Sequence, residues 1–330
     1  MLIGALAACR FALAYRRLVR VTRSHPSFGA ARAIPTLAAL QTSPFPFSED
    51  HMRNRLRVLC AVLAGGIALV LLGHAAYADS MEELTVAHRG ASTSKLGEGT
   101  LPAYQDAVKN RADMLDGDIR WTKDGPDADH VGTIVILHDA TLDRTTNCTG
   151  NVSSWLWFAI RDRCRTNIGA QRLMRLVDLL SYADSVGKSV ALEIKVSTIS
   201  DAQAMQLWNA IKNSRIQLQA TSACLGALNK IKKLDAADTT HKISYALIIL
   251  GTRNWPSVST IKNVGSAVHA RLTIPADVAR GYRLADIKVF LYTGKTKADD
   301  AKMIALQPYG VVVDDVARFQ EWRDAATGSE

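Results

Sequence analysis

From residue 84 onward, short apolar runs alternate with amphipathic ones, and the apolar runs keep ending in ionisable side chains. Leu84–Ala87 stops at His88-Arg89-Gly90, and the run 134–137 stops at His138-Asp139. Met114–Trp121 carries Asp116 and Asp118 two residues apart, and 189–195 is apolar until Glu193 and Lys195. Side chains at i and i+2 of a strand project to one side, so Asp116 and Asp118 can converge on one cation. Strands alternating with helices imply an α/β fold with a parallel sheet. Reactive groups at strand ends place the site on the rim of a (β/α)8 TIM barrel.

The other elements fit that architecture. Residues 101–110 are predicted helical, with Thr100 as N-cap and Pro102 in the first turn. A second helix is predicted over 173–186, stopped by Gly187, and a third over 203–211. Further strands are expected at 217–221, 243–250, 267–274, 288–292 and Gly310–Val313, the last followed by Asp314 and Asp315. Run 243–250 is nearly unbroken in apolar residues, as a buried parallel strand should be. Nine strand-like runs against eight barrel positions leave one outside. The run before His138 can instead pair locally with the turn preceding it.

The basic charge belongs mostly to the N-terminal leader. The chain of 330 residues has a net charge of +9, and residues 1–78 hold nine arginines, no lysine and two acids, so +7 of it. No nucleic-acid partner is inferred from it. Arg53, Arg55 and Arg57 precede an apolar run over 58–72, and Ala76-Tyr77-Ala78 closes it as a small-x-small cleavage site. Residues 52–78 therefore read as a signal peptide. Secretion or periplasmic export follows, with no stable membrane anchor after cleavage; an uncleaved anchor through 58–72 is the alternative. Residues 1–51 read as a non-structural extension or an early start. Removing 78 residues from 330 leaves 252 for a single barrel domain over 79–330, close to the ~250 typical of the fold. In an exported protein, Cys148 and Cys164 are expected as a disulfide closing a small insertion after the His138 segment. Cys224 is left over and expected to be buried.

Seven strings, in order, resemble the glycerophosphodiester phosphodiesterases: His88-Arg-Gly90, Glu98-Gly-Thr-Leu-Pro-Ala-Tyr104, Asp116-Gly-Asp118, Thr122-Lys-Asp-Gly125, His138-Asp139, Leu142-Asp-Arg-Thr-Thr146 and Glu193-Ile-Lys195. The resemblance is close over 84–195 and loose beyond. It implies hydrolysis of a small-molecule phosphodiester. His88 and His138 would be the general acid/base pair, and the glycerol 2-hydroxyl an internal nucleophile. It assigns Asp116, Asp118 and Glu193 to a divalent cation, Ca²⁺ ahead of Mg²⁺, which suits an oxygen-rich carboxylate set. Arg89 and Lys195 would contact the phosphate, and Glu98 would tie the first loop to metal or glycerol.

The chain departs from the family pattern at several points. Gly99 replaces the usual asparagine, Asp116 the usual glutamate, and Asp314-Asp315 the usual Thr-Asp. Tyr292-Thr-Gly-Lys295 stands where Trp-Thr-Val-Asn is common. His241 and His269 have no matching partners in the sequence. Three other readings stay open: a lysophospholipid or sphingolipid phosphodiesterase on the same fold, a Schiff-base aldolase using Lys195, and a non-catalytic headgroup binder.

Overall fold

The computed structural model describes residues 83–90, 96–123, 131–238 and 243–327. The predicted signal peptide, the extension before it, Cys9, Cys60 and His241 lie outside the described residues.

Nine strands occur among the described residues: β1 (Leu84–Ala87), β2 (Met114–Trp121), β3 (Ile134–Ile136), β4 (Ser189–Ile194), β5 (Leu218–Ser222), β6 (Ser244–Ile249), β7 (Ala267–Arg271), β8 (Lys288–Gly294) and β9 (Gly310–Val313). Eight of them form a closed parallel barrel, because β1 pairs with both β2 and β9. The ninth is β3, which pairs antiparallel with β2 through Ile119 and Ile136. The supernumerary strand is thus the run before His138, paired locally.

Helices return the chain from strand to strand outside the barrel: α1 (Leu101–Lys109), α2 (Trp157–Arg163), α3 (Leu176–Val186), α4 (Asp201–Ile211), α5 (Leu225–Ala236), α6 (Val258–Val264), α7 (Ala276–Leu284), α8 (Lys297–Ala305) and α9 (Val316–Thr327). Local chemistry sets several starts. Ser200 and Gln203 form a reciprocal capping box on α4, as Thr296 and Asp299 do on α8. Helix α3 begins three residues later than its apolar pattern predicts. Met174 O accepts from Ile136 N at 2.8 Å, and Arg175 bridges Val135, so backbone pairing beside β3 holds this segment extended. Strand β7 also stops early, at Arg271, where Ile274 N turns back to Arg271 O.

Alternation along the strands separates two cores. Val86, Met114, Ala191, Ala246, Phe290 and Val312 fill the barrel interior. Their neighbours Ala87, Leu115, Val190, Leu247, Leu291 and Val313 pack outward under the helices. His269 belongs to the inside. Its Nε2 meets Gln219 Oε1 at 2.7 Å, and its ring stacks on Phe290 with centroids 4.7 Å apart. Burial pushes its pKa down to about 3, so it is a neutral interior residue with a partner that the sequence pattern did not disclose.

The excursion between β3 and α3 has its own small core, built from Leu137, Leu142, Val152, Ile160 and Leu173. The Cys148–Cys164 disulfide closes it, as predicted. Crosslinking a loop of 16 residues contributes about 3 kcal/mol on the chain-entropy account. Cys224 is half-buried rather than buried; it sits at the start of α5, where its Sγ contacts the Ser197 carbonyl.

Candidate active site

The inward register that buries Val86 and Met114 carries upward to His88, Asp116, Asp118, Glu193 and Lys195. Asp118 and Glu193 are direct register partners on β2 and β4. Together with Arg89 and His138 these side chains surround the carboxyl ends of the strands. A pocket of about 210 Å³ there is lined by His88, Arg89, Asp116, His138, Glu193 and Lys195 on one side and by Arg271 and Tyr292 on the other.

Arg89 sits at φ 54°, ψ 32°, a left-handed conformation that costs a residue with a Cβ on the order of 1–3 kcal/mol. Four contacts hold it there. Its N–H donates to Asp116 Oδ2 at 3.1 Å and its carbonyl accepts from Gly99 N at 2.8 Å. Its guanidinium pairs with Glu98 at 3.2 Å and Asp118 at 3.1 Å. Gly90 follows at φ 81°, where a Cβ would come within 3.1 Å of the Tyr104 backbone nitrogen, so the third residue of His-Arg-Gly has to lack a side chain. Gly99 lies at φ 67°. Asparagine is the other residue that tolerates that region, so the replacement noted above keeps the loop's backbone.

Buried acidity is the dominant electrostatic fact. Burial, reinforced by the neighbouring Asp118 charge, pushes Asp116 up to about 6. Asp118 is raised by burial and by Glu193, against the pull of Lys195 and Arg89. Lys195 Nζ lies 2.7 Å from Glu193 and 3.8 Å from Asp118. Of the carboxylates expected around one cation, Asp118 and Glu193 are thus paired with basic side chains, while Asp116 accepts from the backbone N–H of Arg89. Among the described residues no three His, Cys, Asp or Glu side chains are grouped to hold a metal ion. Arg89, expected on a phosphate, lines the pocket with its guanidinium paired to Glu98 and Asp118. Asp118 Oδ2 is buried 3.1 Å from Arg89 Nε, an ion pair without an aligned hydrogen bond.

Both histidines are braced in the same way. His88 Nδ1 meets Asp314 Oδ1 at 2.5 Å, and His138 Nδ1 meets Asp139 Oδ1 at 2.6 Å. A carboxylate can only accept, so Nδ1 carries the proton in each ring and Nε2 is left for a ligand. Their acidities diverge. Burial works to lower His88, but the Asp314 hydrogen bond and the Asp116 charge prevail and raise it. Burial lowers His138, and Asp118 and Asp139 do not fully offset it. Two groups pushed apart in this way can divide acid and base duties.

Four residues of the site have no role assigned from sequence: Asp314, Asp139, Arg144 and Arg271. Arg144 reaches from the excursion to Asp139 at 2.5 Å and grips Glu98 with two nitrogens at 2.6 and 2.9 Å. The Arg144 hydrogen bond leads in holding Asp139 down at about 2. Asp314 and Arg271 do carry a signal, since each ends a barrel strand. The pairing across strands does not.

Residues 88–318 match the Glycerophosphoryl diester phosphodiesterase family. A glycerophosphodiester phosphodiesterase of Caldanaerobacter subterraneus subsp. tengcongensis is 24% identical over 242 residues, which cover 71% of this chain and 95% of that protein. One from Bacillus subtilis is 45% identical over 67 residues, 20% of each chain. Among solved structures, the fold is similar to that of an Oleispira antarctica phosphodiesterase in complex with the product sn-glycerol-3-phosphate. The TM-score is 0.65 at 18% identity, covering 75% of this chain and 99% of the other. A glycerophosphodiester phosphodiesterase from Agrobacterium tumefaciens gives 0.58 at 20% identity, covering 72% and 100%.

Proposed function

The chain belongs to the glycerophosphoryl diester phosphodiesterase family, and from that premise we propose that it hydrolyses glycerophosphodiesters to an alcohol and glycerol phosphate, with His88 and His138 sharing the proton transfers. The observation that carries this reading is the shared brace: two imidazoles line one pocket, each with Nδ1 on a carboxylate and Nε2 available. Binding alone needs no such pair.

The lowered His138 suits the base and the raised His88 the acid. His138 Nε2 takes the proton of the glycerol 2-hydroxyl as that oxygen attacks phosphorus. The phosphorus–oxygen bond to the alcohol breaks, and His88 Nε2 gives its proton to the leaving oxygen. Water then opens the cyclic phosphate with the roles reversed: His88 removes a proton from water, and His138 returns one to the 2-hydroxyl oxygen. Each ring ends as it began. Lys195 and Arg89 bring positive charge to a substrate that is anionic throughout, at the price of loosening their present carboxylate pairs.

Asp116, Asp118 and Glu193 fit a divalent cation by donor chemistry, since the oxygens are hard and the buried Asp118 Oδ2 makes no aligned hydrogen bond beyond its ion pair with Arg89. When bound, such an ion would supply Lewis-acid stabilisation of the phosphate charge. Ca²⁺ suits the set better than Mg²⁺, because it accepts irregular oxygen geometry. For Lys195 as a Schiff-base nucleophile, its engagement by Glu193 and Asp118 offers no support.

Residues 52–78 are proposed as an export signal, with the mature chain beginning at Asp79. N-terminal sequencing of secreted protein checks this; a retained 58–72 segment would mean an anchor. The reaction is tested by product analysis on a panel of glycerophosphodiesters, with Ca²⁺ or Mg²⁺ supplied in turn. Glycerol phosphate and free alcohol are expected, with turnover lost in excess EDTA. Full turnover by metal-free protein removes the metal from the reading, and an absence of products on every diester removes the reaction.

A further inference from the structure

A second cavity, of about 710 Å³, lies between the start of α1, helix α2 and the segment entering α3, and shares no lining residue with the pocket of about 210 Å³ that holds the histidines. Arg161, Arg165, Arg172 and Arg175 line it, against the single carboxylate of Asp178, and Trp157 and Leu101 add apolar wall. Asp178 is held by Arg175 at 2.7 Å, and Asp162, on the same helix as Arg161, is held by Arg161 at 2.7 Å. Arg165 donates to the carbonyls of Arg161 and Cys164 at 3.0 and 2.7 Å. Among the described residues neither Arg165 nor Arg172 has a carboxylate at ion-pair distance. The concentration of charge is local: from Asp79 on, 40 less nine basic residues face 31 less two acidic ones, a near balance.

Apolar side chains stand out beside the charge. Leu101 is 39% exposed, and Phe158, next to Trp157, is 55% exposed. Helix α2 is fixed by the excursion's core and by the disulfide just past its end, so the wall is rigid before anything binds. Guanidinium groups recognise phosphate with paired donors, and exposed aromatic and aliphatic residues partition into the headgroup boundary of a bilayer. Fixed positive charge with an apolar rim is complementary to an anionic amphiphile.

We propose that this cavity docks the headgroup of an anionic phospholipid at a membrane surface, with the arginines on phosphate and Phe158 and Leu101 toward the acyl chains. The proposal goes beyond the hydrolytic reaction and does not depend on it.

The test is hydrogen–deuterium exchange on the full chain with phosphatidylcholine vesicles, with and without phosphatidylglycerol. Slower exchange over 157–165 and 170–178 is expected with phosphatidylglycerol alone. Arg161→Gln with Arg172→Gln should weaken vesicle binding by roughly tenfold to thirtyfold, while hydrolysis of a soluble glycerophosphodiester stays unchanged and reports intact folding. Phe158→Ser, at an exposed position, asks the same question should the double variant misfold. Binding that survives these substitutions overturns the proposal. So does equal protection by neutral vesicles, protection by inorganic phosphate without any response to vesicles, or protection that rises with protein concentration in the absence of lipid.

Discussion

Asp314 reaches His88 at 2.5 Å across the seam where β9 closes on β1. The contact depends on closure itself, since 226 residues separate the partners in sequence. It ties the most C-terminal barrel strand to the residue proposed as the acid. The position holds threonine in the pattern that the chain otherwise resembles, so this brace is a feature of this chain's own departure.

Asp314→Asn should therefore act through His88. An acid works while protonated, and activity falls as pH rises through its pKa. Losing the Asp314 hydrogen bond and charge removes a cause that raises His88, so the alkaline limb of kcat should move to lower pH. A loss of kcat on the order of 10–10²-fold near pH 8 is expected, with KM little changed. A pH–rate profile with an unmoved alkaline limb would separate Asp314 from His88's proton.

Asp116 makes a stability prediction. Its folded pKa of about 6 lies above the ordinary 3.8, so the folded state binds that proton more tightly than the unfolded chain. The sign follows from linkage: its favourable contribution is complete below pH ~4 and is lost as pH rises through ~6. Metal-free Asp116→Asn should accordingly be more stable than the parent at pH 7, by about 1–3 kcal/mol. The gain should vanish below pH 4. Urea titrations at pH 7 and pH 4 in EDTA measure both, and an equal effect at the two values would refute an ionisation cause.

Much of the architecture was readable in the strings themselves. Leu84–Ala87 and Met114–Trp121 are strands because their apolar pattern suits burial on both sides, and the i, i+2 rule put Asp116 and Asp118 on one face. What escaped was pairing between elements distant in sequence. His269 finds Gln219, and Asp314 finds His88, only because a barrel closes. The late start of α3 has a similar origin: Leu173 and Met174 continue a helical pattern, yet β3 recruits their backbone. Arg89 is the clearest electrostatic case. Its motif marks the residue but not the ion pairs with Glu98 and Asp118 that set its guanidinium in the pocket wall.

Arg144 joins Glu98 of the first loop to Asp139 of the second histidine's brace. It is half exposed, so its worth lies in orientation rather than stability. Arg144→Ala should leave the melting temperature nearly unchanged and lower kcat by about tenfold, through a less ordered His138. Arg144→Lys should recover little, because a single ammonium cannot grip Glu98 with two nitrogens while reaching Asp139. Reduction of Cys148–Cys164, which secures the same excursion, should move kcat in the same direction. A kcat unaffected by either change would detach the excursion from catalysis.

The two histidines carry the sharpest test. His138 has to be neutral to take a proton, so the acidic limb of the rate profile should report its lowered pKa. His88 has to be charged to give one, so the alkaline limb should report its raised pKa. The two limbs should fall on opposite sides of 6.5, the ordinary imidazole value, leaving a plateau between them, to be read as macroscopic values of the pair. His88→Ala and His138→Ala should each lower kcat by about 10²–10⁴-fold with smaller changes in KM. The double variant should be scarcely worse than either single one, because a proton relay lacking one end is already broken. His88→Ala should erase the alkaline limb and His138→Ala the acidic limb, which assigns each imidazole to its role. Should His138→Ala keep near-normal kcat while His88→Ala fails, the relay is wrong. Arg144 and Asp139 would then be bracing a loop residue, and the base would have to be sought among Glu98 and Lys195.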